Sequence, residues 1–312
     1  MRVIISGGSG LIGTGLAKEL IRRGYQVVIL SRNPQKVVDV PEEVIVARWD
    51  GKTSLGWGHY VDGANAIVNL AGENIAGEKF FPTRWTEARK EALLMSRLVP
   101  GKALVAAIRH AKNKPNVFIQ SSAIGYYGTL ADEIIDETHP AGDDFLAKVC
   151  VAWENSTHEI EDLGVRRVVI RTGVVFSPFG GAFDRLVLPF RFFAGGPLGN
   201  GKQFLSWIHL ADQVNAICFL IDNRSAQGIY NLTAPEPITN AELARTIGRI
   251  AHRPAIVPIP GFLFRLMFGE VATVVLDGQR VIPSRLMQQG FTYKFSSVEA
   301  AVTDLLRLRV NN

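Results

Sequence analysis

The sequence predicts an α/β protein, a Rossmann-type, doubly wound parallel sheet joined to a smaller C-terminal α/β lobe. Three observations predict it. Short β-branched runs alternate with helix-period segments through the first 175 residues, a glycine-rich turn separates the first run from the first helix, and the composition changes at Ser177. The chain has 312 residues, 47% hydrophobic and 20% charged, which supplies a sizeable core and excludes disorder as its main state.

The elements follow in order. Apolar runs predict strands at 2–6, 26–31, 44–48, 65–70, 116–121 and 167–171. Helices fit between them at 11–23, 84–111 and 144–163, the first closed by Gly24 just beyond its cap. Right-handed crossovers carry every strand C-terminus to one edge, where a ligand is expected. From Ser177 the stretch SPFGGAFDRLVLPFRFFAGGPLGNGKQ opens the second lobe. It continues with a helix at 211–222, a strand at 229–233, a helix at 240–251 capped by Thr239, and a last helix near 297–308.

Composition excludes several function classes. Lys plus Arg exceeds Asp plus Glu by 34 − 29 = 5, without any run of five basic residues, so nothing marks a nucleic-acid partner. Cys150 and Cys218 form no C-x-x-C pair, which excludes a cysteine-type zinc site, and no metal is expected. The apolar N-terminal run is too short for a signal peptide, and the densest apolar window, 216–221, ends at Asp222. These features predict a cytoplasmic protein, monomer or homodimer, with a small-molecule substrate and no membrane partner; the sequons at Asn155, Asn223 and Asn231 then carry no weight.

The turn SGGSGLIG at 6–13 places Gly7, Gly10 and Gly13 between a strand and an amphipathic helix, with Ser9, Leu11 and Ile12 completing it. Glycines let backbone approach a pyrophosphate, whose charge the free N–H groups of the helix start stabilise. After the second strand comes Ser31-Arg32-Asn33, without the acid that usually holds a ribose 2′-hydroxyl. Arg32 instead offers a guanidinium to a 2′-phosphate, which predicts NADP(H) over NAD(H). Trp49 and Asp50 are expected to flank the adenine, Leu70, Ala71 and Gly72 to let a ribose lie on backbone with Glu73 beside them at the cofactor, and Arg97 to lean toward the phosphates. Ser121 and Val174, at the ends of the fifth and sixth strands, complete the expected edge. The expected division is therefore 1–176 for the dinucleotide and 177–312 for the substrate, with 207–225 packing back on the first part.

SGGSGLIG, SRNP, NLAGENI, RWTEARKEALLMSR, SSAIGYYG, DDFLAKVCVAWE, GGPLGNGKQFLSWIHLAD and YNLTAPEPITN together resemble the extended, epimerase-like branch of the short-chain dehydrogenase/reductases, in its atypical YfcH-type form. The resemblance spans nearly the whole chain. It implies a Rossmann domain with bound NADP(H), a C-terminal substrate lobe, and hydride transfer on a small carbonyl or alcohol, nucleotide-sugar-like compounds included. It also implies a Tyr-x-x-x-Lys pair, which this chain lacks. None of the tyrosines at 25, 60, 126, 127, 230 and 293 has a lysine four residues on; Asp144 precedes Lys148, and spacing from Glu154 aligns Leu146 and Cys150 instead.

The remaining acid/base candidates are Ser122, with Ala123 at the aligned hydroxyl position, Tyr126 and Tyr127 after the fifth strand, Glu73 past the cofactor turn, and His209. Gly196 to Gln203 spells an incomplete phosphate loop whose Gln203 supplies no hydroxyl for Mg²⁺. Arg185, Arg191 and Lys202 are candidates for an anionic substrate. The alternative reading is a catalytically silent NADP(H)-sensing protein.

Overall fold

The computed structural model describes residues 1–77 and 81–310, Val310 without its side chain. Seven strands make one sheet: β1 (Arg2–Ser6), β2 (Gln26–Ser31), β3 (Ile45–Arg48), β4 (Ala66–Asn69), β5 (Val117–Ala123), β6 (Arg166–Thr172) and β7 (Gly228–Leu232). Their order is β3-β2-β1-β4-β5-β6-β7 and every neighbouring pair is parallel. Chain direction across the sheet reverses between β1 and β4, the switch point at which such sheets leave a crevice at their C-terminal edge.

Helices α1 (Leu11–Arg22), α2 (Glu87–His110) and α3 (Phe145–Asn155) connect the first strands, followed by α4 (Ala182–Arg191), α5 (Leu210–Asp222), α6 (Asn240–Ala251), α7 (Gly261–Phe268) and a last helix at Val298–Val310. Strand alternation sorts the core. Val3, Ile5, Val27 and Ile29 pack with Leu16 and Leu20 of α1 and Ile217 of α5, while Ile4, Val28 and Phe118 pack with Leu104 and Ile108 of α2. A separate core in the C-terminal lobe joins Phe183 and Val187 of α4, Leu243 and Ile247 of α6, and Val302 of the last helix.

Three differences from the sequence reading have local causes. The strand expected in the second lobe pairs with β6 and becomes the seventh strand of the main sheet. Helix α3 stops at Asn155, not 163, because Ser156 Oγ donates back to the Trp153 carbonyl and Thr157 Oγ1 donates to Gln120 Oε1 at 3.1 Å. Helix α4 lies inside the stretch from Ser177 that opens the second lobe, where no helix is expected from the sequence. Thr239 does cap α6, in a reciprocal box with Glu242. Among the described residues no helix is long and apolar enough to cross a membrane, and no group of three His, Cys, Asp or Glu is placed to hold a metal.

Candidate functional site

The loop between β1 and α1 is built by close approach. Gly7 has φ +68°, and a Cβ there would stand 2.6 Å from the Leu70 carbonyl oxygen, so the loop lies directly on the chain leaving β4. A Cβ at Gly13 would stand 2.5 Å from Gly8 Cα, which shows how tightly the first turn of α1 presses on the loop. Gly10 differs: it is exposed, and its Cβ would meet only the Gly7 oxygen, at 3.3 Å. Helix α1 has no side-chain cap and no acid in its first turn, so its leading N–H groups stay open to an anion. Ser9 is exposed and Leu11 and Ile12 half-buried, with Gly181 of the α4 start set against Leu11.

Around this loop the other expected residues fall into two groups. Arg32 is exposed beside Gly51 and enters no ion pair among the described residues, while Ser31 Oγ holds the Asn33 N–H at 3.2 Å and shapes the turn. Leu70, Ala71 and Gly72 leave β4 at the same edge, and Ala71 N–H donates to Asn69 Oδ1. Arg97 is not a helix-surface charge. Its guanidinium is buried, donates to the Leu93 and Glu73 carbonyls at 2.9 and 3.0 Å, and lies 4.8 Å over the Trp153 ring. A Cβ on Gly72 would stand 3.2 Å from its Cζ, and burial pushes its pKa down. No carboxylate pairs with it among the described residues, which leaves a buried cation beside the crevice.

Trp49 and Asp50 sit otherwise than expected. The Trp49 ring is buried beside Trp57, edge-on at 5.4 Å, with its Nε1 donating to the Thr53 carbonyl; it faces the α2 side of the sheet and offers no face to an adenine. The Asp50 carboxylate accepts from the N–H groups of Lys52 and Thr53, both at 2.8 Å, and is committed to that turn.

Most acid/base candidates are committed as well. Ser122 Oγ donates to Glu154 Oε1 at 2.7 Å, and Glu154 is held by Arg171 through Nε at 2.9 Å and Nη2 at 3.0 Å. Arg171 Nη1 then donates to Tyr127 OH at 3.1 Å, and Tyr127 OH donates to Asn231 Oδ1 at 2.7 Å. The phenol is 1% exposed, and burial pushes its pKa up to about 12, against the needs of proton exchange. Tyr126 stands apart: half-buried, its ring centroid lies 3.2 Å from Arg171 Cζ, and its hydroxyl makes no hydrogen bond among the described residues. The Glu73 carboxylate is paired with Arg89. On α3, Leu146 lies where a Cβ on Gly125 would meet it at 3.3 Å, and Cys150 is a buried thiol pushed up to about 11 by burial. Ser121 is buried and Val174 half-buried at the ends of β5 and β6.

His209 is a helix cap. Its Nδ1 accepts from the Ala211 N–H at 3.1 Å at the start of α5, and its ring lies 4.0 Å from that of Phe295. Burial lowers its pKa from 6.5 to about 4. Below pH 6.5 the unfolded chain takes up the proton first, so the stability contributed by the neutral ring is complete above pH 6.5 and is lost as pH falls toward 4. His209→Asn keeps a capping acceptor and is expected to flatten the fall of Tm between pH 6.5 and 4 in thermal scans. A slope equal to that of the unaltered protein would assign the fall to other groups.

Arg185 donates toward the Gly77 carbonyl, Arg191 faces α6 and the last helix, and Lys202 is exposed, so these three are not brought to one place. What the sequence reading missed is a buried polar chain under the crevice. Ser6 Oγ donates to Asn69 Oδ1 at 2.6 Å, and Asn69 Nδ2 donates to Gln120 Oε1 at 3.0 Å, which ties the ends of β1 and β4 to the middle of β5. Its signal was available, since Asn69, Gln120 and Arg171 are polar residues that directly follow apolar runs within their strands.

A strand order with its switch point at the glycine loop agrees with comparison to known proteins. The model described as "NAD dependent epimerase/dehydratase family" matches residues 3–233, and "Domain of unknown function (DUF1731)" matches 259–305. The chain belongs to the NAD dependent epimerase/dehydratase family. Within this family it is 37% identical over 309 residues to the epimerase family protein SDR39U1 of Bos taurus, covering 98% of this chain and 100% of that one. The crystal structure of human epimerase family protein SDR39U1 (isoform 2) with NADPH superposes with a TM-score of 0.88 at 35% identity, covering 98% and 99%. A nucleoside-diphosphate sugar epimerase from Corynebacterium glutamicum gives 0.78 at 29% identity, covering 98% of this chain and 58% of that one. The family assignment fits the NAD(P)-binding fold seen here and leaves the substrate to the site's own chemistry.

Proposed function

We propose that the protein binds NADP(H) along this crevice and acts as an epimerase-like oxidoreductase on a small carbonyl or alcohol compound. The observation that carries the reading is the uncapped start of α1 behind Gly7, Gly10 and Gly13, with two cations, Arg97 and Arg32, that have no carboxylate partner among the described residues. The glycine turn and the first N–H groups of α1 would hold the pyrophosphate, with Arg97 as its buried counter-charge. Arg32 would pair the 2′-phosphate, and Ala71, Gly72, Ser121 and Val174 would line the edge. When bound, the cofactor supplies or accepts hydride at a substrate carbon. The NADPH in the human relative's crystal structure and the nicotinamide dinucleotide dependence of the family support the same reading.

Proton movement falls to Tyr126, the candidate whose hydroxyl is not already committed. Tyr126→Phe is expected to lower turnover by roughly 10²- to 10⁴-fold while leaving NADPH affinity unchanged. The assay follows the nicotinamide absorbance of the NADPH-loaded protein with a metabolite pool; equal rates for both proteins would remove Tyr126 from the mechanism. A second reading is favoured by one observation, the engagement of Ser122, Tyr127, Glu73 and His209 in structural contacts. In that reading the protein senses NADP(H) without turning it over. Tight NADPH binding, no turnover with any pool, and a changed scattering profile on loading would select it.

A further inference from the structure

The C-terminal lobe carries a second cleft, away from the crevice. It opens where the last turns of α4, α6 and the last helix converge, over an apolar floor of Val187, Phe190, Ile250 and Leu306. Its volume is about 440 Å³, within the range of about 300–1,000 Å³ for small-molecule sites. The start of α4 touches the cofactor loop, with Gly181 against Leu11, and the ten residues of that helix, about 15 Å of length, separate the loop from the cleft.

Four arginines line the cleft, Arg191, Arg253, Arg307 and Arg309, and no carboxylate does among the described residues. A cation in the last turn of a helix ordinarily offsets the negative helix end. That role does not account for this cluster. The N–H groups of Phe192 and Arg253 already meet the last-turn carbonyls of Pro189 in α4 and Gly248 in α6, and Arg253 belongs to no helix. Arg309 pairs with Asp184, and Arg307 with Asp304 at 3.4 Å. Arg191 and Arg253 are exposed and have no carboxylate among the described residues; the Arg253 guanidinium donates to the His252 carbonyl at 3.1 Å and lies 4.6 Å over the Phe193 ring. The Arg309 side chain is only 9% exposed, and its Nε is buried without an acceptor. Four guanidiniums against two carboxylates leave a surplus of two positive charges, which matches the charge of about −2 on an ionised phosphate monoester.

We propose that this cleft binds a phosphate monoester of a small apolar or aromatic alcohol, with Arg191, Arg253 and Arg309 Nε on the phosphoryl oxygens and the organic group on the apolar floor. The assignment is independent of the cofactor reading. Guanidinium forks match phosphate oxygens, and an anionic acceptor relieves the standing cost of the unmet Arg309 N–H. An uncharged ligand would leave the surplus charge unmet, and inorganic phosphate would leave the floor in water.

The test is calorimetric titration of the whole protein with phenyl phosphate, inorganic phosphate and phenol. Phenyl phosphate is expected to bind at least about 10-fold more tightly than either of the others. The double variant Arg191→Ala with Arg253→Ala, and Thr303→Trp, which fills the cleft from an exposed position, are each expected to weaken it by at least about 10-fold while keeping the Tm and NADPH affinity of the unaltered protein. Arg32→Glu, in the crevice, is expected to leave phenyl phosphate binding unchanged. No binding, equal binding of phenol or inorganic phosphate, full affinity in the double variant, or a loss in Arg32→Glu would each overturn the assignment. Phosphatidic acid vesicles distinguish the sources of such an ester: co-sedimentation that the double variant loses would assign a lipid headgroup, and phenyl phosphate binding without co-sedimentation would assign a soluble ester. Failure of NADPH to bind, with phenyl phosphate behaving as expected, would overturn the cofactor reading and leave the cleft as a binding site.

Discussion

Gly10→Val is expected to weaken NADPH binding by at least about 100-fold with little change in Tm, whereas Gly13→Val is expected to lose both binding and stability. The contrast comes from what each side chain would meet. At Gly10 the backbone is extended, at φ −82° and ψ 173°, and the added carbon touches only the Gly7 oxygen at 3.3 Å. The remaining atoms of valine would then occupy the open mouth of the loop, where a pyrophosphate has to approach the helix start. At Gly13 the added carbon meets Gly8 Cα at 2.5 Å and the Gly7 oxygen at 2.6 Å, both backbone. Helix and loop must part, at a cost of about 1–3 kcal/mol or more. A 100-fold loss corresponds to about 2.7 kcal/mol of binding energy. Fluorescence titration with NADPH and thermal unfolding measure the two effects separately, and tight binding by Gly10→Val would show that the loop is not the site.

Arg171→Leu is expected to destabilise the protein by about 3–5 kcal/mol, read from the denaturant midpoint. Arg171 is 1% exposed and holds Glu154 by two bonds, so its loss strands a buried carboxylate and removes a donor from Tyr127 OH. Removing both charges behaves differently. The double variant Arg171→Leu with Glu154→Leu is expected to recover much of the loss, because no ion is then left without its partner. A single variant that loses less than about 1 kcal/mol would mean that Glu154 finds another partner, and the buried network would not be what fixes the end of β5 against α3.

How much of this was legible in the sequence depends on which interactions are local. Strands β1 to β6 and helices α1 and α6 follow from periodicity, Gly24 and the Thr239 cap, all of which act within a few residues. Membership of β7 in the main sheet does not, since the chain between β6 and β7 runs through residues 173–227 before returning, and only packing decides where it returns. Trp49 was legible and misread: it shares strand parity with Ile45 and Ala47, which puts its ring on the α2 face and not toward a ligand. Arg97 was placed correctly on α2, but its burial depends on Gly72 and Trp153 arriving from elsewhere. The same holds for the site's polar partners. Ser122 and Tyr127 look like free hydroxyls in the sequence, and only the fold brings Glu154, Arg171 and Asn231 to them.

The most direct test of the central claim is a side-by-side fluorescence titration with NADPH and NADH, on the unaltered protein and on Arg32→Glu. NADPH is expected to bind tightly, at least about tenfold preferred over NADH, and the preference is expected to fall by roughly 10- to 100-fold in Arg32→Glu. Failure to bind either nucleotide would contradict the cofactor site itself, and an NADPH-to-NADH ratio unchanged by Arg32→Glu would contradict the role given to Arg32.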